Sequence, residues 1–123
     1  VDKRRGGAND AEVMNVIGKV RGRNCMVIDD IVDTAGTLVK TAQALMEHGA
    51  TAVYSCCTHP VLSGPALDNI EGSPLTELVV ADSIPLRPRA LACERIRQLS
   101  VAPLLAQAIQ SIHEETSISR FFV

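Results

Sequence analysis

Residues 24–38 read NCMVIDDIVDTAGTL, and this stretch restricts the fold more than any other in the chain. Residues 25–31 are nearly continuous in Met, Val and Ile, the pattern of a strand covered on both faces as in a parallel sheet. Asp33-Thr34-Ala35-Gly36-Thr37 then supplies a tight turn of small residues. Residues 37–48 carry Leu38, Val39, Ala42, Leu45 and Met46 on one helical stripe, and Gly49 stands where a left-handed C-cap belongs. Strand, turn and helix in that order imply a crossover unit and hence an α/β fold. Composition agrees: 46% of residues are apolar but only 2% aromatic, so the core must be built from aliphatic side chains.

The same alternation predicts further elements. Residues 12–17 and 51–58 read as strands, the first ended by Gly18 and Gly22 and the second by His59-Pro60. Residues 66–70 form a short helix before the turn Gly72-Ser73-Pro74, and residues 77–81 and 96–101 read as strands. Pro103 suits the first turn of a last helix, whose apolar face is Leu104, Leu105, Ala108, Ile109 and Ile112. The 123 residues make one domain. The chain opens with Val1-Asp2-Lys3-Arg4-Arg5, which reads as a charged loop with nothing before it to anchor it. A parallel sheet lacking its leading strands would leave apolar edge and face uncovered, so the chain is expected to be a piece of a longer one and to associate.

Several classes of function are disfavoured. A net charge of -2 offers no basic field for sequence-independent nucleic-acid binding, and no apolar run reaches the ~20 residues of a membrane span. Cys56 and Cys57 are adjacent while Cys25 and Cys93 stand alone, so reduced thiols in a cytoplasmic protein are expected.

Asp29, Asp30 and Asp33 crowd together where the strand meets the turn, and at neutral pH they repel one another. In open α/β sheets ligands bind beyond the carboxyl ends of strands, which is where this strand delivers them. The turn that follows brings several backbone amides toward one anion at a helix start. A phosphate would be repelled by bare carboxylates, unless it is held by amides and the Thr34 and Thr37 hydroxyls while Asp29 and Asp30 face neutral donors or a cation. A pentose 5-phosphate satisfies this division, because its vicinal hydroxyls donate to paired carboxylates and a metal can bridge carboxylate and hydroxyl. The plainer reading has Asp33 or Thr34 capping the helix and Asp29 or Asp30 merely solvated.

VIDDIVDTAGTL resembles the phosphoribosyl-diphosphate loop of the type I phosphoribosyltransferase fold. VDKRR with Ala8-Asn9, CCTHPVLSGPA, VVADSIPL and LSVAPLLAQAIQSIHEETSISRFF together resemble the carboxy-terminal part of the ribose-phosphate diphosphokinase family, the phosphoribosyl pyrophosphate synthetases. The resemblance implies a type I phosphoribosyltransferase-like parallel sheet flanked by helices, incomplete in this chain. It implies transfer of diphosphate from ATP to ribose 5-phosphate, with magnesium, giving phosphoribosyl diphosphate and AMP for nucleotide biosynthesis. By the same resemblance residues 1–9 are a mobile catalytic loop with Lys3 and Arg5 as its catalytic cations, and residues 27–38 are the ribose-phosphate loop. Within that loop Asp29, Asp30, Asp33, Thr34, Ala35, Gly36 and Thr37 bind the substrate, and Asp29 or Asp30 reaches metal through it. Residues 101–123 are a terminal helix and tail in which Ser117 and Ser119, flanking Ile118, contribute to a regulatory phosphate or ADP site. The resemblance also implies dimers assembled into a hexamer.

Gly6-Gly7 depart from the family, which continues after the arginine with basic or proline residues; two glycines make the loop looser and less charged. His59 follows a strand end and either lines the site or is a hydrogen-bonded structural residue. Ser63-Gly64-Pro65 has a packing or substrate-facing role, Cys56 and Cys57 fill core, and His48 and His113 lie near helix C-termini. The family's chains carry a preceding domain that supplies much of the ATP site, so this polypeptide alone is expected to bind ribose 5-phosphate weakly and not to turn over. Two rival functions use the same loop: a phosphoribosyltransferase, which would lack DKRR and the terminal SISRFF, and a non-catalytic regulatory homologue, which would more often have lost the Lys3 and Arg5 cations.

Overall fold

The computed structural model describes residues 18–119, together with the backbones of residues 2–4 and 13–15. Four strands form one parallel sheet in sequential order: β3 (Asn24–Val32), β4 (Ala52–Pro60), β5 (Leu75–Ala81) and β6 (Ile96–Leu99). Helices α1 (Gly36–Glu47), α2 (Ala66–Glu71) and α3 (Pro88–Leu91) occupy the connections, and α4 (Ala102–His113) follows β6. This is the α/β architecture expected from the alternation of aliphatic runs and helical stripes.

Two short strands, β1 (Asp2–Arg4) and β2 (Val13–Asn15), pair antiparallel with Lys3 opposite Met14. The reading of an unanchored loop at the start of the chain is therefore corrected for residues 2–4. Charge at three successive positions suggested a solvated loop, yet the ladder is made by backbone groups and is indifferent to side-chain charge. Residues 5–12, including Arg5 and Asn9, lie outside the described residues, as does the side chain of Lys3.

One face of the parallel sheet packs on α1 and α2. Val53, Ser55 and Cys57 from β4, Leu78 and Val80 from β5, and Leu38, Ala42 and Leu45 from α1 make the core with Ile70 of α2. Ser55 is fully buried and donates its hydroxyl to Val27 O of the neighbouring strand at 3.0 Å, which removes the cost of a polar group in an aliphatic layer. Arg95 donates from Nη1 to the carbonyl oxygens of Ile70, Ser73 and Leu75, tying the β6 approach to the α2–β5 turn. Helix α1 ends as expected: Gly49 has φ 90, and the Ala50 and Gly49 amides donate back to Leu45 O and Met46 O.

The opposite face of the edge strand β3 is open, with Met26 58% and Ile28 79% exposed. Helix α4 carries the expected apolar stripe, but Leu104, Leu105, Ile109 and Ile112 are all exposed and only Ser111 of this helix is buried. The stripe is correct as a pattern and has no partner among the described residues.

Other boundaries move for local reasons. Strand β4 runs through His59 and ends on Pro60, where the ladder stops and the missing N–H is tolerated. Strand β6 stops at Leu99, because Val101 turns helical and gives its amide to Asp82 Oδ1 at 2.9 Å. No helix among the described residues is long and apolar enough to cross a membrane.

Candidate functional site

Strand β3 delivers Asp29 and Asp30 to the carboxyl edge of the sheet, and the backbone then turns sharply into α1. The turn places Ala35 at φ 61, ψ 3 as the residue preceding the helix, a left-handed conformation for a residue that is not glycine. With Val39 N–H donating to Ala35 O at 2.9 Å, the amides before Val39 have no carbonyl one turn back within the helix. Helix α1 has no side-chain cap bond and no acidic residue in its first turn. Its N-terminal partial positive charge is therefore not answered by a carboxylate of the first turn.

A cavity of about 230 Å³ opens at this point, lined by Asp29, Ile31, Val32, Asp33, Thr34, Ala35, Gly36, Thr37 and Leu38. The structure thus brings together six of the seven expected substrate-binding residues. The seventh, Asp30, is next in chain to Asp29 and donates its amide to Asp29 Oδ1 at 2.9 Å. No lysine or arginine lines this cavity among the described residues; the polar groups of its lining residues are backbone groups, the Thr34 and Thr37 hydroxyls and the Asp29 and Asp33 carboxylates.

Asp33 does not cap α1. Its Oδ1 accepts a hydrogen bond from Ser63 Oγ, and its carbonyl accepts one from Ser63 N–H at 3.1 Å. Thr34 O accepts from Asn69 Nδ2 at 2.9 Å. Sequence reasoning gave Ser63 an undecided role and missed Asn69, whose partner lies 35 positions earlier.

Beneath the carboxylates Cys57 pairs in register with Asp29. Burial, with smaller contributions from the Asp29 and Cys56 charges against an opposing hydrogen bond from Val32, pushes its thiol up to about 11. At neutral pH it is a protonated core filler rather than a nucleophile. His59 does not line the cavity; its Nδ1 lies 2.9 Å from Ser83 Oγ, and Ser83 gives its hydroxyl hydrogen to Thr58 O. Ser83 has a single hydrogen, so Nδ1 is the donor to Ser83 and His59 is the hydrogen-bonded structural residue of the two readings. Ser117 and Ser119 hydrogen-bond each other beyond α4 and do not line the cavity either. Among the described residues no three His, Cys, Asp or Glu side chains converge as a metal-binding set.

A larger cavity of about 380 Å³ is lined by residues from 60–67 and from 84–90. One of its two arginines, Arg89, is engaged by Asp68 and Glu71. The acids and the turn meet only in the smaller cavity.

Residues 7–123 match the family described as the phosphoribosyl synthetase-associated domain. The chain is similar to the ribose-phosphate pyrophosphokinases of Bordetella pertussis, 59% identical over 99% of this chain and 39% of that protein, and of Bacillus subtilis, 55% identical over 99% and 38%. It therefore spans about two-fifths of the length of these relatives. The crystal structure of phosphoribosylpyrophosphate synthetase from Mycobacterium smegmatis superposes with a TM-score of 0.74 at 34% identity, over 80% of this chain and 33% of that one. By residues matched and by fold, the chain belongs to the phosphoribosyl synthetase-associated domain family.

Proposed function

We propose that this chain supplies the ribose 5-phosphate site of a ribose-phosphate pyrophosphokinase that acts in the cytoplasm in nucleotide biosynthesis. The observation that carries this reading is the cavity at the end of β3, where an uncapped helix N-terminus and a left-handed Ala35 lie beside Asp29. The turn at residues 34–37 receives the 5-phosphate through amides and the Thr34 and Thr37 hydroxyls. Asp29 and Asp30 accept from the ring hydroxyls, and Asp33 completes the loop.

In the reaction the sugar's 1-hydroxyl oxygen bonds to the β-phosphorus of ATP while the bond from that phosphorus to the oxygen bridging the α-phosphate breaks. Diphosphate moves as a unit, AMP leaves, and the hydroxyl proton is released. Lys3 and Arg5 are proposed as cations that close over the transferred group, stabilising charge that grows only as the bond breaks. Exposed carboxylate oxygens at Asp29 and Asp30 suit magnesium, which prefers oxygen and takes one or two carboxylates with substrate oxygens. When bound, the ion neutralises phosphoryl charge. Ser117 and Ser119 are proposed as part of a regulatory anion site, and the assembled protein as dimers joined into a hexamer.

The test is a chimera in which residues 1–123 replace the matching part of the Bordetella pertussis protein. Formation of AMP and phosphoribosyl diphosphate supports the proposal, and a folded chimera that forms neither overturns it. Within an active chimera, Lys3→Ala is expected to cut turnover steeply while sparing ribose 5-phosphate binding.

A further inference from the structure

The connection from β4 to α2, together with Asn69 of α2 itself, holds three consecutive carbonyls of the sugar-phosphate turn. Leu62 N–H donates to Val32 O at 3.1 Å, Ser63 N–H to Asp33 O at 3.1 Å, and Asn69 Nδ2 to Thr34 O at 2.9 Å. Ser63 Oγ adds a fourth bond, to the Asp33 carboxylate. All four donors come from 30 to 35 positions later in the chain, so nothing local to the turn provides them.

These bonds have a directional consequence. In a planar trans peptide the carbonyl and the following N–H point in opposite directions. Drawing the carbonyls of Val32, Asp33 and Thr34 toward residues 62–69 therefore aims the N–H groups of Asp33, Thr34 and Ala35 the other way. Those residues line the cavity, so the bracing presents their amides to an anion there. The connection is itself contorted to do this, with Leu62 at φ 48 and Gly64 at φ 52. A buried leucine keeps a left-handed backbone only where its surroundings hold it.

We infer that Ser63 and Asn69 are positioning residues of the sugar-phosphate site: touching no reacting atom, they orient the amides and the Asp33 carboxylate that receive the substrate. This rests on the reading of the cavity as a ribose 5-phosphate site. A purely architectural role would make the same four bonds, so the test must separate sugar-phosphate affinity from folding.

The test uses the chimera described above with Ser63→Ala and Asn69→Leu, the second nearly keeping size while removing the donor and adding no charge. Each is expected to raise KM for ribose 5-phosphate about tenfold, equivalent to about 1.4 kcal/mol, while KM for ATP and the melting temperature stay at the parent values. Ser63→Thr, which retains the hydroxyl, is expected to keep the parent KM. An unchanged KM for ribose 5-phosphate in both variants overturns the inference and leaves the site reading standing. A parallel rise in both KM values with a lowered melting temperature also overturns it, since that is the mark of a structural bond. An unsubstituted chimera that makes no product overturns the site reading and the inference together.

Discussion

Replacing Gly36 by alanine should move stability and binding in opposite directions. Gly36 is the first residue of α1 and has no positive φ, and a Cβ built there would meet only Thr34 Oγ1, at 3.8 Å, an ordinary contact. The fold therefore does not require glycine at this position. Alanine narrows the unfolded ensemble and favours helix, which stabilises by about 0.4–1 kcal/mol. In a domain of this size that corresponds to a rise in Tm of about 1–4 °C. The same methyl projects at a residue lining the 230 Å³ cavity, where amide nitrogens must come within about 2.9 Å of phosphoryl oxygens. KM for ribose 5-phosphate in the chimera should rise by at least about tenfold, or about 1.4 kcal/mol. Calorimetric melting of the 123-residue chain reads the first effect and steady-state kinetics the second. A fall in Tm of several degrees would show that the backbone needs the glycine, and an unchanged KM would show that no anion approaches it; either result refutes the reasoning.

Cys57 gives the protein an alkaline sensitivity. Its folded thiol lies at about 11 against an ordinary value of 9.0, so the protonated form is favoured in the folded state. The stabilisation is fully present below pH 9, declines as pH rises through the window from 9 to 11, and is gone above it, a loss of about 3 kcal/mol at most. Urea denaturation across this range should show the decline, and Cys57→Ala should remove that component; an identical slope in the variant would sink the assignment. Arg95→Ala leaves three carbonyls without their shared donor and should cost about 2–3 kcal/mol by the same assay. Arg95→Lys should recover only part, because all three bonds come from Nη1, which lies one bond farther from the backbone than a lysine Nζ, and full recovery would contradict the geometry.

How far the fold could be read ahead of the structure depended on how local its causes were. Strand β3 and helix α1 were legible because an aliphatic run, a small-residue turn and a stripe ending at Gly49 each act within a few residues. The four-residue helix α3 was not, since it buries only Ala90 and leaves no periodic signal beyond Pro88 at its start. Helix α4 shows the converse: its stripe of Leu104, Leu105, Ile109 and Ile112 is plain in the sequence, yet amphipathicity names no partner, and these side chains stand exposed. At the site, Asp29 and the turn at residues 33–37 were legible because strand-end position and turn chemistry are local. Whether Asp33 capped α1 was not. Its competitor, the Ser63 hydroxyl, is brought alongside only by the pairing of β3 with β4, and Asn69 reaches Thr34 by the same long-range route.

The most direct measurement is a crystal structure of the chimera soaked with ribose 5-phosphate. Phosphoryl oxygens within hydrogen-bonding distance of the amides of residues 34–37, with the ring diol on Asp29 and Asp30, is the predicted result. A phosphate seated instead on lysine or arginine side chains, with the helix start empty, would contradict the account.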